Sequence, residues 1–178
     1  MTSSPARAAS TTTTTTSTEP RARVLVGGVG YRFLRDDSVG PYVSDLLADQ
    51  ADDGIEIEDV SYHPVGLSQN LAERPPYDRL VLVAAVRRGR PPGTVVCYRW
   101  DGVLPSRDEI QERVSEAVTG VISLDNLLIV CGALGDFPDD VRVVEIEPGE
   151  EGWGEGFSPE VEARLPDVLE AVWSSARR

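Results

Sequence analysis

From Arg23 onward the hydrophobic and polar positions fall into short alternating patterns. Val24 to Val26 is an apolar run ending in glycine and predicts a buried strand. Val39, Val43, Leu46 and Leu47 recur at helical spacing until Gly54 breaks the pattern. Ile55 to Val60 reads Ile-Glu-Ile-Glu-Asp-Val, the period of a strand with one wet face. After a loop, Leu67 to Leu71 predicts a short helix stopped by Pro75-Pro76. Arg79 to Val86 is the most apolar strand, and its continuity predicts burial on both faces near the middle of a sheet. Thr94 to Trp100 is the next strand. Ser106 and Glu109 form a capping box that opens a helix running to about Val118.

Ser123 to Leu134 is ambiguous by composition, since Leu-Leu-Ile-Val-Cys also suits a strand. The helical spacing of Leu124, Leu127, Leu128 and Cys131, with Ser123 as a start and Gly135 just past the end, favours a helix. Val141 to Ile146 is a strand. Ser158-Pro159-Glu160 begins a last helix, with Val161, Leu165, Val168, Leu169 and Val172 as its apolar stripe. Strands alternating with helices predict a three-layer α/β/α domain with a mostly parallel five-stranded sheet. Ligands of such sheets sit outside the carboxyl ends of the strands, which gathers 28–37, 61–66, 84–90 and 147–156 on one rim.

Composition narrows the picture. Residues 1–20 are rich in Ser, Thr and Ala, with six threonines from Thr11 to Thr16, and predict a disordered tail ahead of a single domain over 21–178. They lack the apolar stretch of a secretory signal. A net charge of -13 repels phosphate backbones and anionic lipid, so neither nucleic acid nor a membrane is an expected partner. The two cysteines, Cys97 and Cys131, lie in apolar runs and predict reduced, buried thiols in a cytoplasmic protein. His63 is the single histidine, which excludes any site needing two.

The stretch from Val24 to Gly40 raises the question of chemistry, because two acids, Asp36 and Asp37, follow a glycine turn. A dinucleotide fingerprint starting at Gly28 would need a third glycine where Phe33 stands, and a pyrophosphate would not tolerate the acids. Helix capping is the plainest explanation for the aspartates. The order of motifs adds another. Gly28-Val29-Gly30, Leu34, Asp36-Asp37 and Gly40 resemble the opening motif of the nickel-iron hydrogenase maturation proteases. The resemblance continues through His63-Pro64-Val65-Gly66-Leu67, Arg90-Pro91-Pro92-Gly93-Thr94, the segment from Ser123 to Pro138, and Ile146-Glu147-Pro148 with Gly152, Gly154 and Gly156 to Val161. It covers nearly all of residues 23–175. Tyr31 replaces the family's usual Asn and Ser38 its usual Gly.

The resemblance implies a protease-like α/β fold, and a family activity of removing the C-terminal extension of a hydrogenase large subunit after nickel insertion. It also implies three side chains that contact the nickel of the substrate protein. These are the second acid of the opening motif, an Asp closing the central strand, and a His before the Gly-Leu-x-x-x-Leu helix. Here the first is Asp37, Ala84 occupies the second position, and the third falls around Gly120-Val121-Ile122-Ser123, where there is no histidine, since none follows His63. The expectation is a non-catalytic or altered-site homologue, with no catalytic residue assigned, that binds a hydrogenase large subunit or another maturation protein. The alternative is an active nickel-dependent endopeptidase with a rebuilt site on Asp37 and His63. His63 lies on the correct rim, with Asp59 near enough in sequence to orient its ring, but a hydrogen-bonded loop histidine before proline is the competing reading. Asp36 joins the candidate binding residues. Arg87, Arg88 and Arg90 form a small basic patch beside the cleft, either a solvated turn or an anchor for an acidic segment. Glu147, Glu150, Glu151 and Glu155 read as a solvated acidic loop with some capacity for a basic partner or a weakly bound cation. Ser158 reads as an N-cap, since no Gly-x-Ser-x-Gly is present.

Overall fold

The computed structural model describes residues 22–52 and 54–177, so the tail predicted over 1–20 lies outside the described residues. Strands β1 (Val24–Val29), β2 (Ile55–Asp59), β3 (Arg79–Ala85), β4 (Val95–Arg99) and β5 (Asp140–Ile146) form one sheet in the order β2-β1-β3-β5-β4. β4 alone runs antiparallel, against β5 at the sheet edge. Helices α1 (Val39–Leu47), α2 (Pro64–Glu73), α3 (Arg107–Val118), α4 (Leu124–Leu134), α5 (Pro159–Glu162) and α6 (Leu165–Arg177) fill the connections.

The alternation along β3 explains the layering. Leu80 and Leu82 face one core with Leu67 of α2 and Leu124, Leu127 and Leu128 of α4. Val81 and Val83 face the other with Val39, Val43 and Leu47 of α1 and Val168 and Val172 of α6. Leu80 to Val83 are all 0% exposed, so each contributes on the order of 1.5–3 kcal/mol of burial energy. Both faces are covered, and the run therefore reads as continuous rather than alternating.

Three local expectations change. The predicted last helix is two helices, because Pro166 has no N–H to donate and its ring opposes the carbonyl four residues earlier; Ala163 and Arg164 form the break. Neither Asp36 nor Asp37 caps the helix that follows. They sit in a 3-10 turn, Arg35–Ser38, whose ends carry no side-chain cap. Cys97 is exposed while Cys131 is buried, because β4 is an edge strand and the Cys97 side is left uncovered. The ambiguous segment is helical as expected: Ser123 Oγ accepts from Asn126 N at 3.1 Å, and Gly135 closes α4 in the left-handed region at φ 83°. No helix among the described residues is long and apolar enough to cross a membrane.

Two glycines of the opening motif have a shared packing reason. A Cβ on Gly28 would collide with the carbonyl of Gly40 and with Ser44 Oγ, and one on Gly40 would collide with the Val29 backbone. The first turn of α1 therefore rests directly on the end of β1. Gly28→Ala should destabilise the protein by about 3 kcal/mol, because backbone must move to make room. Gly66→Ala is the control: its Cβ meets the Tyr62 ring at an ordinary 3.7 Å inside α2. That change should stabilise by about 0.5–1 kcal/mol, and urea denaturation of the two variants checks both signs.

Candidate functional site

The rim forms where the carboxyl ends of β1, β3 and β5 meet two loops, 30–38 and 147–158. The loops are joined mainly through Asp36. Its carboxylate is fully buried and accepts from Gly149 N and Glu150 N at 2.8 Å, and from Ser158 N and Ser158 Oγ at 2.7 Å. Burial alone would raise its pKa, but these donors outweigh burial and hold the group below the usual carboxylate range. The backbones add Arg35 N to Gly154 O at 3.0 Å and Gly154 N to Phe33 O at 2.9 Å. Asp36 is thus a brace between loops distant in sequence. Ser158 precedes α5 without capping it through its side chain, because its hydroxyl is given to Asp36.

Asp37, the next residue, has the opposite environment. It lines a cavity of about 200 Å³ together with Gly30, Tyr31, Ala84, Arg87 and Asp125. Among the described residues, none donates a hydrogen bond to its carboxylate. Burial first, then the charges of Glu151 and Asp36, push its pKa up to about 6, and Arg87 offsets only part of this. Gly30 allows the turn: a Cβ there would collide with the Asp37 carbonyl, which accepts from Tyr31 N at 3.2 Å. Tyr31 closes one side. Its hydroxyl donates to Gly120 O at 3.2 Å and accepts from Ile122 N at 2.6 Å, tying down the segment where the resemblance implied a histidine.

His63 is at the start of α2. Its Nδ1 accepts from Val65 N at 3.2 Å, with Pro64 at the first helical position. This bond assigns the proton of the neutral ring to Nε2, which leaves that nitrogen without a free lone pair. Asp59 does not orient the ring; it pairs with Arg32 at 2.7 Å and accepts from Ser61 N at 3.0 Å.

The three arginines are engaged by carboxylates of this chain. Arg87 pairs with Glu151 at 2.8 Å. Arg88 grips Asp125 bidentately, at 2.7 and 2.8 Å, and reaches Glu145 at 2.8 Å. Arg90 contacts Glu145 and lies 3.2 Å from Glu147. Glu145 and Glu147 are 2% and 1% exposed. Burial would push Glu145 up, but Arg88, Arg90 and the Tyr98 hydroxyl hold it below its ordinary range. Glu147 is likewise lowered against its burial, first by the backbone N–H groups of Arg88 and Gly89. Glu147 therefore belongs to the interior and not to the solvated acidic loop. Glu145, Asp125 and Tyr98 escaped sequence reasoning; the available signal was an acid in the apolar strand β5, opposite an arginine-rich turn.

Chemically, the cavity offers one carboxylate free to take a ligand. Among the described residues, no group of three His, Cys, Asp or Glu side chains is disposed to hold a metal ion. The residues present do not fit a nickel ion bound in the manner the resemblance implied: Ala84 has no donor atom, and Asp125 is neutralised by Arg88. A larger hollow of about 620 Å³ lies beside Trp100 and Phe137, near the start of β5 and away from this rim.

The fold and rim define a class: a three-layer α/β domain with a mostly parallel sheet and an acid-bearing loop after its first strand. No family model and no curated protein sequence matches the chain. Solved structures do match. An endopeptidase from Escherichia coli shares 28% identity over 87% of this chain and 92% of its own, with a TM-score of 0.66. The hydrogenase maturating endopeptidase HybD from E. coli shares 27% identity over the same proportions, with a TM-score of 0.65. The hydrogenase 2 maturation peptidase from Thaumarchaeota archaeon SCGC_AB-539-E09 shares 25%, covering 86% of this chain and 97% of its own, with a TM-score of 0.61. The chain is thus similar in fold to solved hydrogenase maturation peptidases, two of which share 25% and 27% of its sequence.

The adjacent acids should behave oppositely on substitution. Asp36→Ala strands four donors in a buried site and should cost at least about 3 kcal/mol. Asp37→Asn should stabilise. Below pH 3.8 both folded and unfolded chains keep that proton; as pH rises from 3.8 to about 6 the unfolded chain releases it first, so the native state loses stability. The penalty is complete above pH 6, where Asp37→Asn should be more stable than the parent by about 1–2 kcal/mol. Denaturation curves at pH 7.5 and pH 3.5 test this, and the difference should vanish at the lower value.

Proposed function

We propose that this protein is a maturation protease homologue that binds a nickel-iron hydrogenase large subunit, or another maturation protein, in the cytoplasm without cleaving it. The observation that carries the reading is the donor set of the cleft. Asp37 is retained, but Ala84 and the Tyr31-bound segment 120–122 supply no further ligand. One carboxylate does not make a selective site for the nickel of a substrate protein. In this reading the cleft and its loops serve to recognise a protein surface, while the group that would test for nickel is incomplete.

A second reading has one observation in its favour. Asp37 keeps a carboxylate without a hydrogen-bond donor among the described residues and with a raised pKa, the condition of a group poised for proton transfer or ligand binding. In that reading the protein is an active endopeptidase, with Asp37 and His63 as a rebuilt site. It requires His63 to surrender its bond to Val65 so that the ring can present a lone pair.

Incubation with the nickel-loaded large-subunit precursor encoded by the same genome decides between them. The expected result is a complex in which the precursor keeps its C-terminal extension, as read by intact mass. Specific trimming that disappears in both Asp37→Asn and His63→Ala would establish the second reading and overturn the first.

A further inference from the structure

Beside the cleft, the two braced loops build a second feature that the Asp37 cavity does not use. A groove of about 260 Å³ is lined by Phe33, Pro41, Tyr42 and Phe157, with Asp45 and Glu155 at its edge. Tyr42 and Phe157 meet edge to face, with ring centroids 5.1 Å apart. Phe33 is 58% exposed, and Trp153 is 83% exposed one residue from the Leu34–Gly154 bridge that joins the loops.

Phe33 is held outward against the preference of its backbone. Its φ is +65°, in the left-handed region that a bulky residue rarely adopts, and the bond from Gly154 N to Phe33 O fixes it there. A strained backbone that presents an aromatic ring to solvent contributes nothing evident to the fold. Exposed aromatics around a concave apolar surface are the anchors of protein recognition.

Charge indicates what enters. Residues 147–162 contain six glutamates and no basic residue. Arg32 at the groove edge is already shared between Asp45 and Asp59. Glu155 has no ion pair among the described residues. A second copy of the chain is disfavoured by its charge of -13, and the first 21 residues offer Met1 as their single large apolar side chain.

We propose that this groove docks an extended segment of a partner protein, placing a bulky apolar side chain against Phe33, Tyr42 and Phe157 and a neighbouring basic side chain opposite Glu155. The loop of Phe33 also carries Asp37, and the loop of Glu155 also carries Glu151, so groove and cleft are two parts of one continuous surface. The inference rests on the reading above only for the identity of the partner.

The test uses the full chain and fluorescently labelled ten-residue peptides, one alternating Leu and Arg and one alternating Leu and Glu. The Leu/Arg peptide should bind saturably by anisotropy, and Phe33→Gly should weaken it at least about tenfold. Glu155→Gln should weaken it about two- to threefold and reduce its salt dependence. Phe33→Gly should melt no lower than the parent, since glycine suits the left-handed backbone, which separates lost binding from lost folding. No binding, equal binding of the Leu/Glu peptide, or indifference to Phe33→Gly would overturn the proposal. Tighter peptide binding after deletion of residues 1–21 would assign the groove to the chain's own N-terminus and overturn it as well. The large-subunit precursor forms the second arm. Equal binding of the precursor to parent and Phe33→Gly would overturn the groove and leave the hydrogenase reading standing. A precursor that ignores the parent, beside a Leu/Arg peptide that needs Phe33, would remove the hydrogenase partner and keep the groove.

Discussion

A single buried carboxylate organises the functional end of this molecule. Asp36 is fully enclosed and receives four donors from the loop that follows β5, including both the backbone N–H and the hydroxyl of Ser158. A buried charge is tolerable only when its hydrogen bonds are complete, and here they all come from the far loop. That loop is rich in glycine and has few apolar side chains to bury, so Asp36, with the backbone bonds of Gly154 and the ion pairs of Arg35 and Arg87, holds it in place. Once it is held, the position of Ser158 fixes the start of α5, and Gly154 reaches the Phe33 backbone. The cavity wall, the acidic stretch and the aromatic groove all inherit their placement from this contact.

The pairing of Asp36 with Asp37 then acquires a physical logic. The first acid is stabilised by the fold and in return shapes it. The second is placed by the same turn but receives no donor from the described residues, and its charge is opposed by burial, by Glu151 and by Asp36 itself. Groups kept in an unfavourable state are tolerated where they meet a ligand. Two identical side chains on adjacent residues thus meet opposite environments, one saturated with donors and one opposed by burial and like charge.

Much of this was legible in the sequence, for identifiable reasons. The alternating and continuous apolar runs gave away the strands because burial on one or two faces imprints a period on the residues. Ser123, Gly135 and the 124/127/128/131 spacing resolved a helix against its strand-like composition. What stayed hidden depends on long-range pairing. Nothing near Asp36 reveals that its donors lie at Gly149, Glu150 and Ser158. Glu147 reads as a loop acid until Arg88, Gly89 and Arg90 are seen to surround it. The break at Ala163 and Arg164 was readable from Pro166, but the regular stripe from Val161 to Val172 concealed it. Cys97 was misjudged because a strand's composition does not say whether it will lie at the edge of the sheet.

The arginine network bears on what the cleft can bind. A cation entering the cavity needs carboxylates that are not already matched. Asp125 is held bidentately by Arg88, Glu151 by Arg87, and Glu145 and Glu147 by Arg88 and Arg90 together. To recruit Asp125 as a ligand, a metal would have to displace a guanidinium and leave it next to the incoming positive charge, which repulsion opposes. The guanidiniums therefore occupy, electrostatically, the role that an ion would play in organising the acids of this rim. Because they are tethered, they do so whether or not a partner is present. The acids of this rim are therefore held in place by the chain's own cations, and a metal ion could recruit them only by displacing a tethered guanidinium.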